Sequence, residues 1–369
     1  MPASRRHFLQ TGLQTGAAAL SGAALSGCGW TLASVNPTPS RTASDELYIY
    51  TWAGYTDSDL LKRFEENTGI RAIADVFDSN EAMLARLQAS GGGGYSIIYP
   101  SDYMVQKMVE LDLVQALDPS KLVGMERLFQ RFVSPSYDAH NQHSVPLSWG
   151  TTGLIYNTRL LTAAEYPTDW DSLWQLEERL HKRFTLLNDV REVMGATLRS
   201  LGHSYNATDP AEIRQAYEKL RALKPAIAAF SSDAWRNQIL TGDLLVAMCY
   251  SSDAHEVMEE NEDLAYVLPL SGSTVFVDTL AIPKTAPNPE GAYAWMNFML
   301  QPEVAAEICK RLSFAVPNKV AFDRLAPELQ DDPSLFPPDP AIGRCEGLMP
   351  LNDAVNELYD RYWTQLTSG

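Results

Sequence analysis

From residue 47 onward, short apolar runs alternate with amphipathic stretches. Leu47 to Tyr50 reads as a strand, Asp57 to Asn67 as a helix closed by Gly69, Ile70 to Phe77 as a strand, Ser79 to Ala89 as a helix and Tyr95 to Tyr99 as a strand. Strand and helix in alternation, with short Gly-bearing joints, predict a parallel α/β sheet. Gly91 to Gly94 follows a helix and precedes a strand, the reverse of a phosphate-cradling loop, and reads as a flexible connection. A second alternating unit opens near Val145-Pro146-Leu147 and includes a strand from Phe184 to Leu187 that enters a helix at Asp189. Helix is predicted again over Glu303 to Leu312. Val355, Leu358, Tyr359, Tyr362, Trp363 and Leu366 then recur at helical spacing as a core-facing stripe. A chain of 369 residues exceeds one ordinary core, so two α/β bodies are expected.

One position breaks the apolar pattern. Within TVFVDTLAIP, residues 274 to 283, strand periodicity puts Phe276, Asp278 and Leu280 on one face and Val275, Val277 and Thr279 on the other. Burying an ionised carboxylate without a partner costs on the order of several kcal/mol. Asp278 therefore needs water, backbone amides, a lysine or an arriving cation. Acids beside aromatics recur: Tyr250 and Asp253 follow the apolar run Leu244 to Met248, Trp52 and Tyr55 follow the first strand, and Tyr103 follows the third. Strand ends in α/β sheets are where ligands bind. Aromatic faces attract ammonium groups by ~0.5 to 2 kcal/mol each, and carboxylates add charge-assisted hydrogen bonds. The set describes a box for an organic cation. The same residues also admit a plainer account, with Asp189 and Glu192 as a D-x-x-E helix cap and the aromatics as core packing.

Charge narrows the choice. Lys and Arg number 29 against 46 acids, a formal −17 that disfavours nucleic acid and suits a cationic small molecule. The N-terminus departs from this balance: Ser4-Arg5-Arg6-His7-Phe8-Leu9 precedes a Gly/Ala/Leu stretch ending in Leu25-Ser26-Gly27-Cys28, too short and glycine-rich for a membrane span. It resembles a twin-arginine signal peptide over 1–27 with a lipobox, Cys28 being the acylated residue, followed by a tether over 28–45. Loss of Arg5 and Arg6 with the leader takes −17 to −19. A periplasmic protein, lipid-anchored after export, is expected. Three cysteines remain, Cys249, Cys309 and Cys345, an odd number that permits one disulfide; Cys309 with Cys345 is one open pairing.

Motifs for catalysis are missing. The chain has no G-x-S-x-G, H-E-x-x-H, Walker loop or paired C-x-x-C. His140 and His143 read as solvated loop residues. Ser252, Asp253 and His255 hold the letters of a triad, but triads are assembled by the fold rather than by sequence neighbours. No catalytic residue, metal or cofactor is expected.

The stretches YIYTWAGYT, FEENTGI, FDSNEAMLARL, YPSDYMVQKM, VPLSWGTTGLIYN, DVREV, VDTLAIP and NFMLQPEVA occur here in one order across the mature chain. In them the chain resembles the bacterial spermidine/putrescine-binding proteins, the extracytoplasmic receptors of polyamine ABC importers. The resemblance implies an α/β, type II periplasmic-binding-protein fold: two α/β lobes with a ligand cleft between them. Lobe 1 would comprise 46–150 plus 276–322, and lobe 2 151–275 plus 323–369. It further implies that Trp52, Tyr103, Tyr250, Phe276 and Phe314 wall the polyamine, with Tyr55 beside them, and that Ser101 and Ser232 make polar contacts. Glu192 and Asp278 would hold ammonium groups, joined by Asp189 in spermidine binders and Asp253 in putrescine binders. Both of the latter acids are present here. Departures from the family pattern are Ala53-Gly54 after Trp52, Phe314 for a tyrosine, Tyr250 and Phe276 for tryptophans, and Met349 near an expected glutamine. The implied partners are a polyamine and an inner-membrane permease with its ATPase; a monomer is expected, with no nucleic acid. The alternatives are a receptor of the same fold for another organic cation and an exported enzyme acting on amines.

Overall fold

The computed structural model describes residues 45–89, 91 and 94–368. The leader, Cys28, the tether up to residue 44 and part of the Gly91 to Gly94 run lie outside the described residues. Strands β1 (Glu46–Trp52), β2 (Arg71–Phe77) and β3 (Ile97–Ile98) pair in parallel, in the order β2-β1-β3. Helix Ser58–Thr68 joins the first two; Asp57 accepts from the Leu60 amide at 2.8 Å to start it, and Gly69 at φ 74° ends it in a conformation glycine adopts without a Cβ penalty. This first α/β unit follows the expected elements closely.

The middle of the sheet differs. Strand β4 (Ser144–Asn157) runs through both halves of the molecule, followed by β5 (Phe184–Leu186), β6 (Ala229–Phe230), β7 (Val246–Tyr250), β8 (Leu264–Val267) and β9 (Val275–Ala281). The sheet order is β2-β1-β3-β9-β4-β7-β5-β6, with β8 also on β4. From Ser144 to Thr151, β4 pairs antiparallel with β9; from Thr152 onward it pairs antiparallel with β7 and, from Leu154, β8. The expected parallel sheet is thus mixed, because one long strand leaves the first lobe and β9 returns beside it. The register shifts between Pro146 and Ser148, where proline has no amide to donate, and sets Ser148 opposite Asp278. Gly150 lets the chains meet closely: a Cβ there would stand 2.6 Å from the Phe276 ring.

Two main apolar cores lie either side of this crossing. The first gathers β1, β3, the start of β4, β9 and helix Pro289–Met299 around Phe64, Trp295 and Phe298; the second gathers β5, β7, helices Val190–Ser200 and Pro210–Leu223, and the C-terminal helix Asp353–Thr367. Val355, Leu358, Tyr359 and Leu366 are buried there, with Tyr362 and Trp363 partly covered. Within residues 323–336, expected with lobe 2, Leu325 joins Cys309 and Val316 and Phe336 meets Phe322 at 4.8 Å and Trp149 at 6.2 Å on the first side, while Asp332 reaches His255 of helix Ser251–Glu260 at 2.8 Å. Cys249, Cys309 and Cys345 are free thiols, so the Cys309–Cys345 pairing is not formed. His143, read as solvated, instead belongs to a turn in which Asp138 accepts from the His143 and Ser144 amides and approaches the imidazole at 3.3 Å. Among the described residues no helix is long and apolar enough to cross a membrane.

Candidate ligand-binding cleft

Asp278 sits on β9 where the lobes meet, nearly excluded from solvent. Its carboxylate accepts from Ser101 Oγ at 2.7 Å and from the Tyr55 phenol. Ser101 is itself held by Asn80, whose side chain accepts from the Ser101 amide at 3.1 Å and donates to its hydroxyl at 3.0 Å. Ser148, opposite Asp278 in the register, donates to the Tyr55 oxygen at 3.3 Å. Tyr55 packs on Phe314, ring centroids 4.2 Å apart. Burial raises the Asp278 pKa, and the Tyr55 and Ser101 hydrogen bonds partly oppose this. The unpaired acid of the sequence thus has neutral donors and forms no ion pair among the described residues.

A second set of acids comes from the other lobe. Asp189 caps helix Val190–Ser200, accepting from the Arg191 and Glu192 amides at 2.8 and 3.0 Å. Glu192 does not complete a capping box; its carboxylate accepts from Thr274 Oγ1 at 2.9 and 3.0 Å, just before β9. Of the two acids, Asp189 therefore serves as the helix cap, whereas Glu192 turns to Thr274. Burial, then the charge of Asp189, pushes the Glu192 pKa up to about 8; Asp189 is also raised, chiefly by burial. Tyr103 approaches from the first lobe, donating to Glu81 at 3.0 Å and lying within the field of Asp189. Tyr250 and Phe276 meet edge to face, 5.4 Å between centroids, and Tyr250 feels Asp189, Glu192 and Asp253. Trp52 packs on Phe77 at 4.4 Å, with its indole nitrogen buried and unpartnered.

The remaining candidates stand differently. Ser232 lies in the turn after β6, where its carbonyl accepts from Trp235 Nε1 at 3.0 Å. Met349 is exposed, its backbone oxygen taken by Arg191. Asp253, expected to hold a ligand ammonium, is already ion-paired with Arg236 at 2.7 Å. A protein cation thus holds one oxygen of this carboxylate.

Three residues escaped the sequence reading. Asp102 is buried beside Asp278; burial pushes its pKa up to about 8, opposed first by the Tyr103 amide. Its position in the first turn of helix Asp102–Glu110 reads as ordinary dipole compensation, so only burial marks it. Tyr137 brings a buried, unpartnered hydroxyl into the field of Asp102 and Asp278. Arg191 stacks on Tyr359 at 5.7 Å and binds Asn206 and the Met349 carbonyl, so it braces the acidic helix start.

Among the described residues, Asp102, Asp189, Glu192 and Asp278 form no ion pair, and no cluster of three or more His, Cys, Asp or Glu is placed to hold a metal. Three buried acids and half-buried Asp189 beside aromatic rings, where two α/β lobes join through crossing strands, define a solute receptor of the periplasmic-binding type. The chain belongs to the bacterial extracellular solute-binding protein family, whose profile matches residues 59–337. It is 36% identical over 326 residues to a spermidine/putrescine-binding periplasmic protein of Salmonella typhimurium, covering 88% of this chain and 92% of that one. A putrescine/cadaverine-binding protein of Pseudomonas aeruginosa is 31% identical over 334 residues, 88% of this chain and 94% of the relative. Among solved structures, a spermidine/putrescine ABC transporter substrate-binding protein from Streptococcus pneumoniae superposes with a TM-score of 0.80 at 35% identity, over 88% of this chain and 99% of its own.

Proposed function

We propose that this protein captures a polyamine outside the cytoplasm and delivers it to the permease and ATPase of an ABC importer, without making or breaking a covalent bond. The observation that carries this reading is the set of cleft carboxylates that form no ion pair among the described residues, buried Asp278 with Asp102 on one side and, on the other, buried Glu192 with half-buried Asp189, which lie in the field of Arg191. Ammonium groups on a flexible methylene chain satisfy separated acids, while aromatic walls cover the methylenes between them. Asp278, Glu192 and Asp189 would hold the charges, with Ser101 and Ser232 as polar contacts. Tyr55 would orient Asp278; Trp52, Tyr103, Tyr250, Phe276 and Phe314 would form the walls. Closure of the lobes desolvates the cation and strengthens each pair. In this reading the protein works as a monomer in the periplasm, tethered to a membrane through an acylated Cys28. Calorimetric titration with putrescine, cadaverine, spermidine and spermine tests it: at least one should bind with Kd well below millimolar, and binding of none would refute it.

A further inference from the structure

Ser101 is the N-cap of helix Asp102–Glu110, yet its side chain makes no capping hydrogen bond. A serine at this position ordinarily spends its oxygen on one of the orphan helix amides. Here the hydroxyl turns to β9 instead. Ser101 and Asp278 face each other in an isolated antiparallel bridge, and Ser101 Oγ stands 2.7 Å from Asp278 Oδ1. The other neighbour of this hydroxyl is Asn80, the buried first residue of helix Asn80–Ala89. Asn80 has no capping duty of its own, because Ser79 Oγ accepts from the Ala82 amide at 3.1 Å.

These contacts run in one direction. A backbone amide can only donate, so the Asn80 atom 3.1 Å from the Ser101 nitrogen is its oxygen, and its nitrogen is left to face Ser101 Oγ at 3.0 Å. Ser101 then has one hydrogen of its own to place, and among the described residues Asp278 is the acceptor within reach. Tyr55 is directed likewise: Ser148 donates to its oxygen at 3.3 Å, and its hydrogen goes to Asp278 Oδ2. Donors fixed on both oxygens favour the charged carboxylate. The titratable groups in the field of Asp278 are Tyr55, Asp102 and Tyr137. Burial lifts Asp102 to about 8, helped by the charge of Asp278, which places the proton of this pair of acids on Asp102 near neutral pH. We infer that Asn80 is a positioning residue for ammonium capture: through the Ser101 hydroxyl it keeps Asp278 charged and aimed in the ligand-free cleft. The inference rests on the polyamine reading of the cleft. Asn80 also lies within hydrogen-bonding reach of the Tyr103 phenol, a second route by which its loss would reach the ligand.

Calorimetric titration of the wild type, Asn80→Leu, Asp278→Asn and the double variant separates the two routes, with whichever of putrescine and spermidine binds the wild type more tightly. Asn80→Leu should weaken binding by about fivefold. It should also release more protons on binding than the wild type, because Asp278 then gives up a proton to the incoming ammonium. In the Asp278→Asn background, Asn80→Leu should change affinity by less than about twofold. Unaltered affinity in Asn80→Leu overturns the inference. So does a loss of about fivefold that persists without the Asp278 charge, which would assign Asn80 to Tyr103 or to packing. Should Asn80→Leu fail to fold, infrared difference spectra of the ligand-free wild type against Asp278→Asn decide: a protonated-carboxyl band from Asp278 near neutral pH overturns the inference, and its absence supports it. A wild type that binds neither amine overturns the polyamine reading itself; the same band, compared between wild type and Asn80→Leu, still reports whether Asn80 sets the charge of Asp278.

Discussion

The phenol of Tyr55 donates to the carboxylate of Asp278 across 223 residues of sequence. One residue closes the loop after β1 and the other lies on the strand that returns from the second lobe. Tyr55 is itself buried between Tyr99 and Phe314, which fixes its ring. In the proposed reading Asp278 is therefore oriented before the cation arrives, so ordering it adds little cost on binding.

Asp278→Asn should weaken polyamine binding by roughly 2 kcal/mol or more, as the loss of a desolvated charge pair does. Tyr55→Phe keeps the packing and removes one donor, so a smaller loss of about 1 kcal/mol is expected. Titration calorimetry measures both. Unchanged affinity in Asp278→Asn would remove this acid from the site.

Asp189 caps a helix and, in the proposed reading, also holds a ligand ammonium. Asp189→Asn can still accept from the Arg191 and Glu192 amides, so stability should hold while polyamine affinity falls. Asp189→Ala also loses the cap and should cost about 1 kcal/mol of stability. Equal denaturation midpoints for the two variants, with equal binding, would refute the division.

Burial raises Glu192 and Asp102 from the usual carboxylate range to about 8. Between the unfolded and folded values the native state binds more protons than the unfolded chain, so ligand-free stability should fall as pH rises from about 5 to 8, then level off. Glu192→Gln should flatten that decline in thermal melts. An incoming ammonium replaces the proton, so spermidine affinity should rise over the upper part of this window with proton release, visible as a buffer-dependent binding enthalpy. A wild-type slope unaltered by Glu192→Gln would sink the assignment.

Cys28→Ser should shift the protein from the membrane fraction to the soluble periplasmic fraction. Persistence of the variant in washed membranes would contradict an acylated anchor.

Local patterning made the first α/β unit legible: β1, helix Ser58–Thr68, β2 and helix Asn80–Ala89 fall where periodicity and caps place them. The same patterning read β4 only as the start of a second unit, because no local signal shows one strand pairing with β9 along its first half and with β7 and β8 along its second. Phe336, expected with lobe 2, packs on the first side for a related reason. Its partners, Trp149 and Phe322, are brought to it by that crossing.

The site divides in the same way. Residue type and order were enough to single out Asp278, because a carboxylate in an apolar strand is costly wherever it occurs; Asp189 and Glu192 also read as a helix cap and the aromatics as core, and the family's motifs joined them to the cleft. Sequence also contains the family's motifs in order, and with them the fold class. Which acids remain open to a ligand depends on distances between side chains that the chain order does not encode. Arg236 reaches Asp253 because two helices share a core, Thr274 rather than a helix amide donates to Glu192, and only burial brings Asp102 and Tyr137 to notice beside Asp278. Burial and through-space charge set the strength of an ionic contact, and both exist only once the lobes are assembled.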